Sequence, residues 1–331
     1  MILSKDEIKK RISESYELPN HVKQSIPEPV VSVCVATCQH VNFIEPCVEG
    51  VLMQQATFRW ELLIGEDCST DGTRKKVFEY ARKYPDKIRV ITADHHAGKK
   101  ANKQRLLLAA RGKYIAPLDG DDYWTDPEKL QKQVDFLEEN PDYYMCYHSY
   151  KTMKDNKISR IILPKRGRDY TADELIATPA GIAVATKLIR NIYASPVNDD
   201  IIEFYNDYDM NMIMGAFGAC KFLPGIRPSI RRVHPGGEFT SRSDKNKTFT
   251  IINLKTHVYK YFFGKGDEHR TMIAIRALHD ALQNNRNQIY PGYKRFKLGR
   301  SRIHIVCGGM WFEVHYRRFL SSIKRRIKQV F

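Results

Sequence analysis

Four aspartates fall within eight positions of one stretch: Asp119, Asp121, Asp122 and Asp126, in a run that reads APLDGDDYWTDP. Carboxylates this close raise one another's pKa unless something positive neutralises them. Asp119 and Asp121, at i and i+2 with Gly120 between them, can converge from a tight turn on one divalent cation. Magnesium or manganese in such a site keeps positions open for water or phosphate oxygens. Helix capping accounts for Asp126, because an Asp followed by Pro127 is a helix start. It leaves the upstream trio unexplained.

Glu66 and Asp67 form a second acidic group, in the run GEDCSTDGT from Gly65 to Thr73. Ser69 or Asp71 can cap a helix that begins near Thr73. A carboxylate directly at a strand end has another use: it can accept a hydrogen bond from the N3–H of a uracil base.

Both groups need a scaffold that brings them together, and the chain supplies one. Short β-branched runs at 30–36, 60–65, 87–91 and 113–118 read as buried strands. Apolar residues at helical spacing fill 42–55, 73–84 and 100–110 between them. Strand and helix therefore alternate, the pattern of an α/β fold with a mostly parallel sheet flanked by helices. Such sheets bind ligands outside the carboxyl ends of their strands. The segments there are 37–40, 66–69, 93–99 and 119–122, so both acidic groups share the ligand-bearing edge.

The rest of the chain bounds the reading. At 331 residues it can bury a sizeable core, and 42% hydrophobic with 28% charged residues is an ordinary globular balance. Residues 1–28 read as a polar leader helix without the apolar centre of a signal peptide, and no apolar run is long enough to span a bilayer. The seven cysteines include no Cys-x-x-Cys pair; Cys34 and Cys38, four apart around a strand end, are poorly arranged for zinc. All read as reduced thiols of a cytoplasmic protein. A net charge of +16 favours an anionic partner. Residues 246–331 read as a helical extension, and 312–331 as an amphipathic helix with Phe319, Leu320, Ile323, Ile327 and Phe331 on one face and basic residues beside it.

Val31-Ser32-Val33, then Gly65 to Thr73, then Gly112-Lys113-Tyr114-Ile115 running into Asp119-Gly120-Asp121-Asp122-Tyr123-Trp124 resemble the successive signatures of glycosyltransferase family 2. The resemblance is close over residues 30–150 and looser to about 240. It implies a GT-A, Rossmann-like domain over 29–245 and inverting sugar transfer from a nucleotide donor, most simply a UDP-sugar. By position it implies donor-binding roles for Thr37, Glu66, Asp67, Gly98, Lys103, Asp119 and Gly120. It also implies Mn2+ or Mg2+ at Asp119, Asp121 and His234, and Asp207, in Asn206-Asp207, as the catalytic base. Five positions depart from the family pattern: Gln39-His40 stand where it has Tyr-Asn, Glu66 replaces an aspartate, Lys103 an arginine and Asn206 an acid.

A lipid-linked glycan acceptor at the inner face of the cell membrane would suit the basic tail, and cell-surface polysaccharide synthesis is the role that the family suggests. Two rivals fit less well. A sugar-1-phosphate nucleotidyltransferase wants a glycine- and arginine-bearing loop after the first strand, and 37–42 contains neither. A basic nucleic-acid or membrane-binding protein has no use for acidic clusters at strand ends.

Overall fold

The computed structural model describes residues 5–19, 28–178, 181–194, 204, 207–235, 244–284, 303–307 and 310–314. In chain order the first part contains α1 (Lys5–Ser13), β1 (Tyr16–Glu17), β2 (Val31–Thr37), α2 (Ile44–Leu52), β3 (Trp60–Glu66), α3 (Thr73–Lys83), β4 (Ile88–Thr92), α4 (Lys99–Ala109) and β5 (Tyr114–Asp119). Then follow α5 (Lys129–Glu139), β6 (Tyr143–Tyr147), β7 (Tyr150–Lys154), β8 (Lys157–Ile158), α6 (Ala172–Ala177), β9 (Lys187–Arg190), α7 (Asp207–Met214), β10 (Ala219–Phe222) and β11 (Ser229–Arg232). Two helices, α8 (Asp244–Gly264) and α9 (Glu268–Asn284), precede the strands β12 (Ile303–Cys307) and β13 (Met310–Val314).

The central sheet has eight strands in the order β1-β4-β3-β2-β5-β9-β6-β10. Strands β4, β3, β2 and β5 run parallel, while β9 enters antiparallel between β5 and β6. A small sheet, β11-β7-β8, stands beside it. Alternation along β2 shows why both faces are covered: Val31, Val33 and Val35 join Ile44, Val48, Val51, Leu62 and Ile64 on the side of α2, whereas Cys34 joins Leu63, Leu106, Leu107 and Ile115 on the side of α4. Side chains that alternate across a strand supply two faces, and helices bury each.

Two parts differ from the sequence reading. The leader is joined to the sheet, since Tyr16 and Glu17 pair antiparallel with Thr92 and Ile91 at the edge of β4. The extension is helical in α8 and α9 but ends in a hairpin, with Ile303 opposite Val314 and Cys307 opposite Met310. Its alternating Ile303, Ile305 and the Gly308-Gly309 between its strands are a hairpin signal. Residues 315–331, and with them most of the amphipathic tail, lie outside the described residues. Among the described residues no helix is long and apolar enough to cross a membrane.

Candidate active site

Three adjacent strand ends are locked together around Thr37. The Asp67 N–H donates to the Thr37 carbonyl at 3.1 Å, and the Gly120 N–H donates to the Ala36 carbonyl at 2.9 Å. Thr37 is buried, with Oγ1 3.2 Å from His40 Nδ1. Gly120 packs so closely here that a Cβ would sit 2.7 Å from Thr37 Oγ1 and 3.0 Å from His40 Nδ1. Only glycine allows that approach.

The two acids after β3 have different surroundings. Glu66 is fully buried, and its carboxylate accepts from the Ser69 N–H (2.6 Å), the Arg74 Nε–H (2.7 Å) and the Thr92 hydroxyl (3.1 Å). Those bonds brace the loop from within. Asp67 instead holds the start of α4: Oδ1 accepts from the Ala97 N–H at 2.7 Å and Oδ2 from the Gly98 N–H at 3.0 Å. Gly98 has φ +91°, a conformation that side chains rarely adopt. One turn and a half further on, α4 carries Lys103, whose Nζ reaches Asp119 Oδ1 at 2.8 Å. A single helix thus ties the carboxylate after β3 to the carboxylate that ends β5.

The acidic cluster divides its partners. Burial pushes the Asp119 carboxyl up, but Lys103 and Lys99 outweigh it and hold the group below the usual carboxylate range. Asp121 Oδ2 lies 3.0 Å from His234 Nε2, and the Arg232 guanidinium donates to the Asp121 carbonyl. Asp122 is buried and accepts the Arg232 N–H at 2.9 Å; burial, then Asp121 and Asp119, push its pKa well up. Asp126 does what its sequence context says, accepting the Glu128 N–H at 2.9 Å ahead of α5 and the Arg227 N–H at 2.7 Å.

For a cation, the expected set Asp119, Asp121 and His234 is brought together in part. Asp121 and His234 meet, while Asp119 is engaged by Lys103. Carboxylate oxygen and imidazole nitrogen are donors that suit manganese, and magnesium more through the oxygens. Asp207 is the first residue of α7, but its side chain and the whole of Asn206 lie outside the described residues.

Sequence reasoning missed several neighbours. Phe43 tilts against His234, ring centroids 4.8 Å apart, and the Arg232 guanidinium lies 5.3 Å over Phe43 and 4.7 Å over Tyr123. Arg231-Arg232 just ahead of His234 was the available signal. His40 is held below the ordinary histidine pKa by burial, against the pull of Asp121 and Asp119. Arg105 is buried and donates to the Glu66 carbonyl at 2.8 Å. Beside Lys103 a narrow, mostly apolar cleft opens between β5 and α7, lined by Leu106, Pro117, Val184, Lys187 and Met210 among others.

Comparison with known proteins fits this architecture. Residues 32–190, just under half of the chain, match the sequence model described as Glycosyl transferase family 2. An uncharacterized protein of Mycobacterium tuberculosis is 35% identical over 149 residues, 44% of this chain and 43% of the relative. The chain therefore spans less than half the length of that relative. The Escherichia coli enzyme WfgD, a UDP-Glc:alpha-D-GlcNAc-diphosphoundecaprenol beta-1,3-glucosyltransferase, is 30% identical over 168 residues, 50% of this chain and 62% of WfgD. Among solved structures, TarS 1-349 of S. aureus in complex with UDP-GlcNAc superposes with a TM-score of 0.52 at 15% identity, covering 86% of this chain and 99% of that one. These likenesses define the fold as GT-A, with a mostly parallel central sheet.

Proposed function

We propose that the chain is an inverting glycosyltransferase that moves a sugar from a UDP-sugar to a hydroxyl of a glycan or lipid-linked glycan. The observation that carries this reading is the bridge made by α4, with Asp67 at its start and Asp119 against Lys103. A nucleotide's base and its phosphates need recognition groups on neighbouring strand ends, and β3 and β5 flank β2 here. Asp67 would accept the base N3–H, Thr37 and Gly120 would form the floor beneath the nucleoside, and Lys103 would face the diphosphate. Mn2+ or Mg2+ held by Asp121 and His234, with Asp119, supplies charge neutralisation for the departing diphosphate when bound.

Asp207 takes the proton of the acceptor hydroxyl as its oxygen bonds to the anomeric carbon. The bond from that carbon to the UDP oxygen breaks on the opposite face, and UDP leaves with the electron pair. An α-linked donor gives a β-linked product. The relative WfgD, named for a lipid-diphosphate acceptor, supports a role in surface polysaccharide synthesis. The basic amphipathic pattern of residues 316–331 supports a membrane-peripheral location, at the inner face of the cell membrane where a lipid-linked acceptor would lie. Loss of liposome binding on deleting those residues is the expected result.

The activity is tested by screening UDP-sugars with Mn2+ for UDP release. Turnover that disappears in Asp121→Ala and Asp207→Ala is expected. Turnover unchanged in both would overturn the assignment.

A further inference from the structure

Beside the nucleotide site, Cys38, Asp67 and His96 bring one ligand atom each to within 4.8 Å of one another, the group of three among the described residues that does so. The three come from separate segments: the loop after β2, the end of β3 and the loop before α4. His96 Nδ1 lies 3.0 Å from Asp67 Oδ2 and 3.2 Å from the Asp67 carbonyl, and Cys38 Sγ lies 3.9 Å from the same nitrogen and 3.5 Å from the same carbonyl.

That shared nitrogen decides what the cluster is for. A nucleophilic triad uses the two ring nitrogens differently, one toward the thiol and the other toward the carboxylate. Here Nδ1 faces both partners, so the three atoms converge on a point. A tetrahedral cation with bonds of about 2.0–2.3 Å sets its ligand atoms roughly 3.3–3.6 Å apart. The observed 3.0 and 3.9 Å bracket that spacing.

The donor set also selects the ion. Sulfur with imidazole and carboxylate suits zinc and other thiophilic cations, whereas the oxygen-rich Asp119–Asp121 turn suits magnesium or manganese. Asp67 is buried but Cys38 is partly exposed and the His96 side chain is 63% exposed, so the cluster opens to solvent on one side. A fourth position is thereby left to water. Cys34, the cysteine nearest in sequence, takes no part: it is buried in the apolar cluster with Leu63, Leu106 and Leu107.

We propose that Cys38, Asp67 and His96 bind a thiophilic divalent cation of the zinc class, and that this ion and the nucleotide base exclude one another at Asp67. The exclusion rests on the donor reading given above; the cation site does not. On binding, the thiol proton of Cys38 passes to solvent, and His96 ligates through Nδ1 as the neutral imidazole with its one proton on Nε2. A chain that uses one cation to turn over a donor would then be shut by another.

Cobalt(II) titration of the full chain tests the cation site, because a bound thiolate gives a sulfur-to-cobalt charge-transfer band. One equivalent of Co2+ should produce the band in the parent. Cys38→Ser and His96→Ala should each lose it, while Cys68→Ser and Asp121→Ala keep it. His96 is exposed, so its variant reports ligation without disturbing the core. Absence of a band in the parent, or a band unaltered in both Cys38→Ser and His96→Ala, overturns the site. Adding UDP to the cobalt form should remove the band; a band that persists while UDP binds overturns the exclusion. Failure of the metal-free parent to bind UDP would count against the donor reading, with the cobalt band still judging the cation site.

Discussion

His234 places Nε2 3.0 Å from Asp121 Oδ2 although 113 positions separate them in sequence. The contact joins the small sheet's edge at β11 to the turn after β5. It gives the acidic turn a donor set of mixed oxygen and nitrogen. Loss of a metal's charge stabilisation costs several kcal/mol, on the order of 10²–10³ in rate. Asp121→Ala should therefore reduce Mn2+-dependent UDP release by that factor, and His234→Ala should raise the Mn2+ concentration needed for half-maximal rate. A metal titration of initial rates reads both; identical curves for parent and His234→Ala would refute the role of the histidine.

Lys103 and Asp119 make an ion pair that is mostly shielded, with side chains 11% and 27% exposed. Lys103→Met keeps the aliphatic stem and removes the nearer of the two lysines that hold the carboxylate charged, leaving Lys99. The expected loss of stability is on the order of 1–3 kcal/mol, below the cost for a fully buried pair because Asp119 keeps some solvent. The double variant Lys103→Met/Asp119→Asn should recover part of it. Urea midpoints for Lys103→Met, Asp119→Asn and the double variant, with the parent, form the cycle, and additive losses would argue against the pairing.

Gly120→Ala tests the tightest contact at the site. A methyl group would meet Thr37 Oγ1 at 2.7 Å and Thr37 Cβ at 2.8 Å, and both belong to the buried end of a central strand. Overpacking of this kind costs about 1–3 kcal/mol. The thermal midpoint should fall and UDP affinity should fall with it. A variant as stable as the parent would mean that the strand ends yield more readily than this packing implies.

Lys129 supplies a pH prediction away from the site. It is fully buried, its Nζ 2.6 Å from Gln133 Oε1 and 4.0 Å above the Trp124 ring, and burial draws its pKa down to about 7 from 10.5. Between those values the unfolded chain keeps a proton that the folded chain releases. Stability from this group therefore rises with pH across the window, by up to ~1.4 kcal/mol per unit. Lys129→Met should be at least as stable as the parent at pH 7, and the difference should shrink toward pH 10. Parallel stability curves for parent and variant would contradict the shift.

Legibility varied along the chain with the length of the elements. The runs from Val31, Trp60, Ile88 and Tyr114 were readable because five to seven residues of buried strand leave a dense β-branched pattern. Strands β9, β10 and β11 have four residues each, too few for a period to emerge, and β1 has two. Their places come from tertiary pairing, as where Ser229–Arg232 lies along Tyr150–Met153. At the site, types and spacing pointed to Asp67, Asp119 and Asp121, whereas the pairing of Asp119 with Lys103 depends on the angle of α4. Glu66 looked ligand-facing beside Asp67; its carboxylate instead joins Arg74, because successive strand residues point to opposite faces. The strained backbone at Gln39 (φ 55°) and Cys68 (φ 54°) left no trace in sequence, since glycine is absent from both positions.

The central claim is that the carboxylates ending β3 and β5 serve one bound nucleotide, and calorimetry of UDP binding tests it most directly. The parent should bind UDP more tightly with Mn2+ than without. Asp67→Asn should weaken binding in both conditions, and Asp121→Ala should remove only the gain from Mn2+. Binding that is equally tight in the parent and both variants, with no response to Mn2+, would contradict the account.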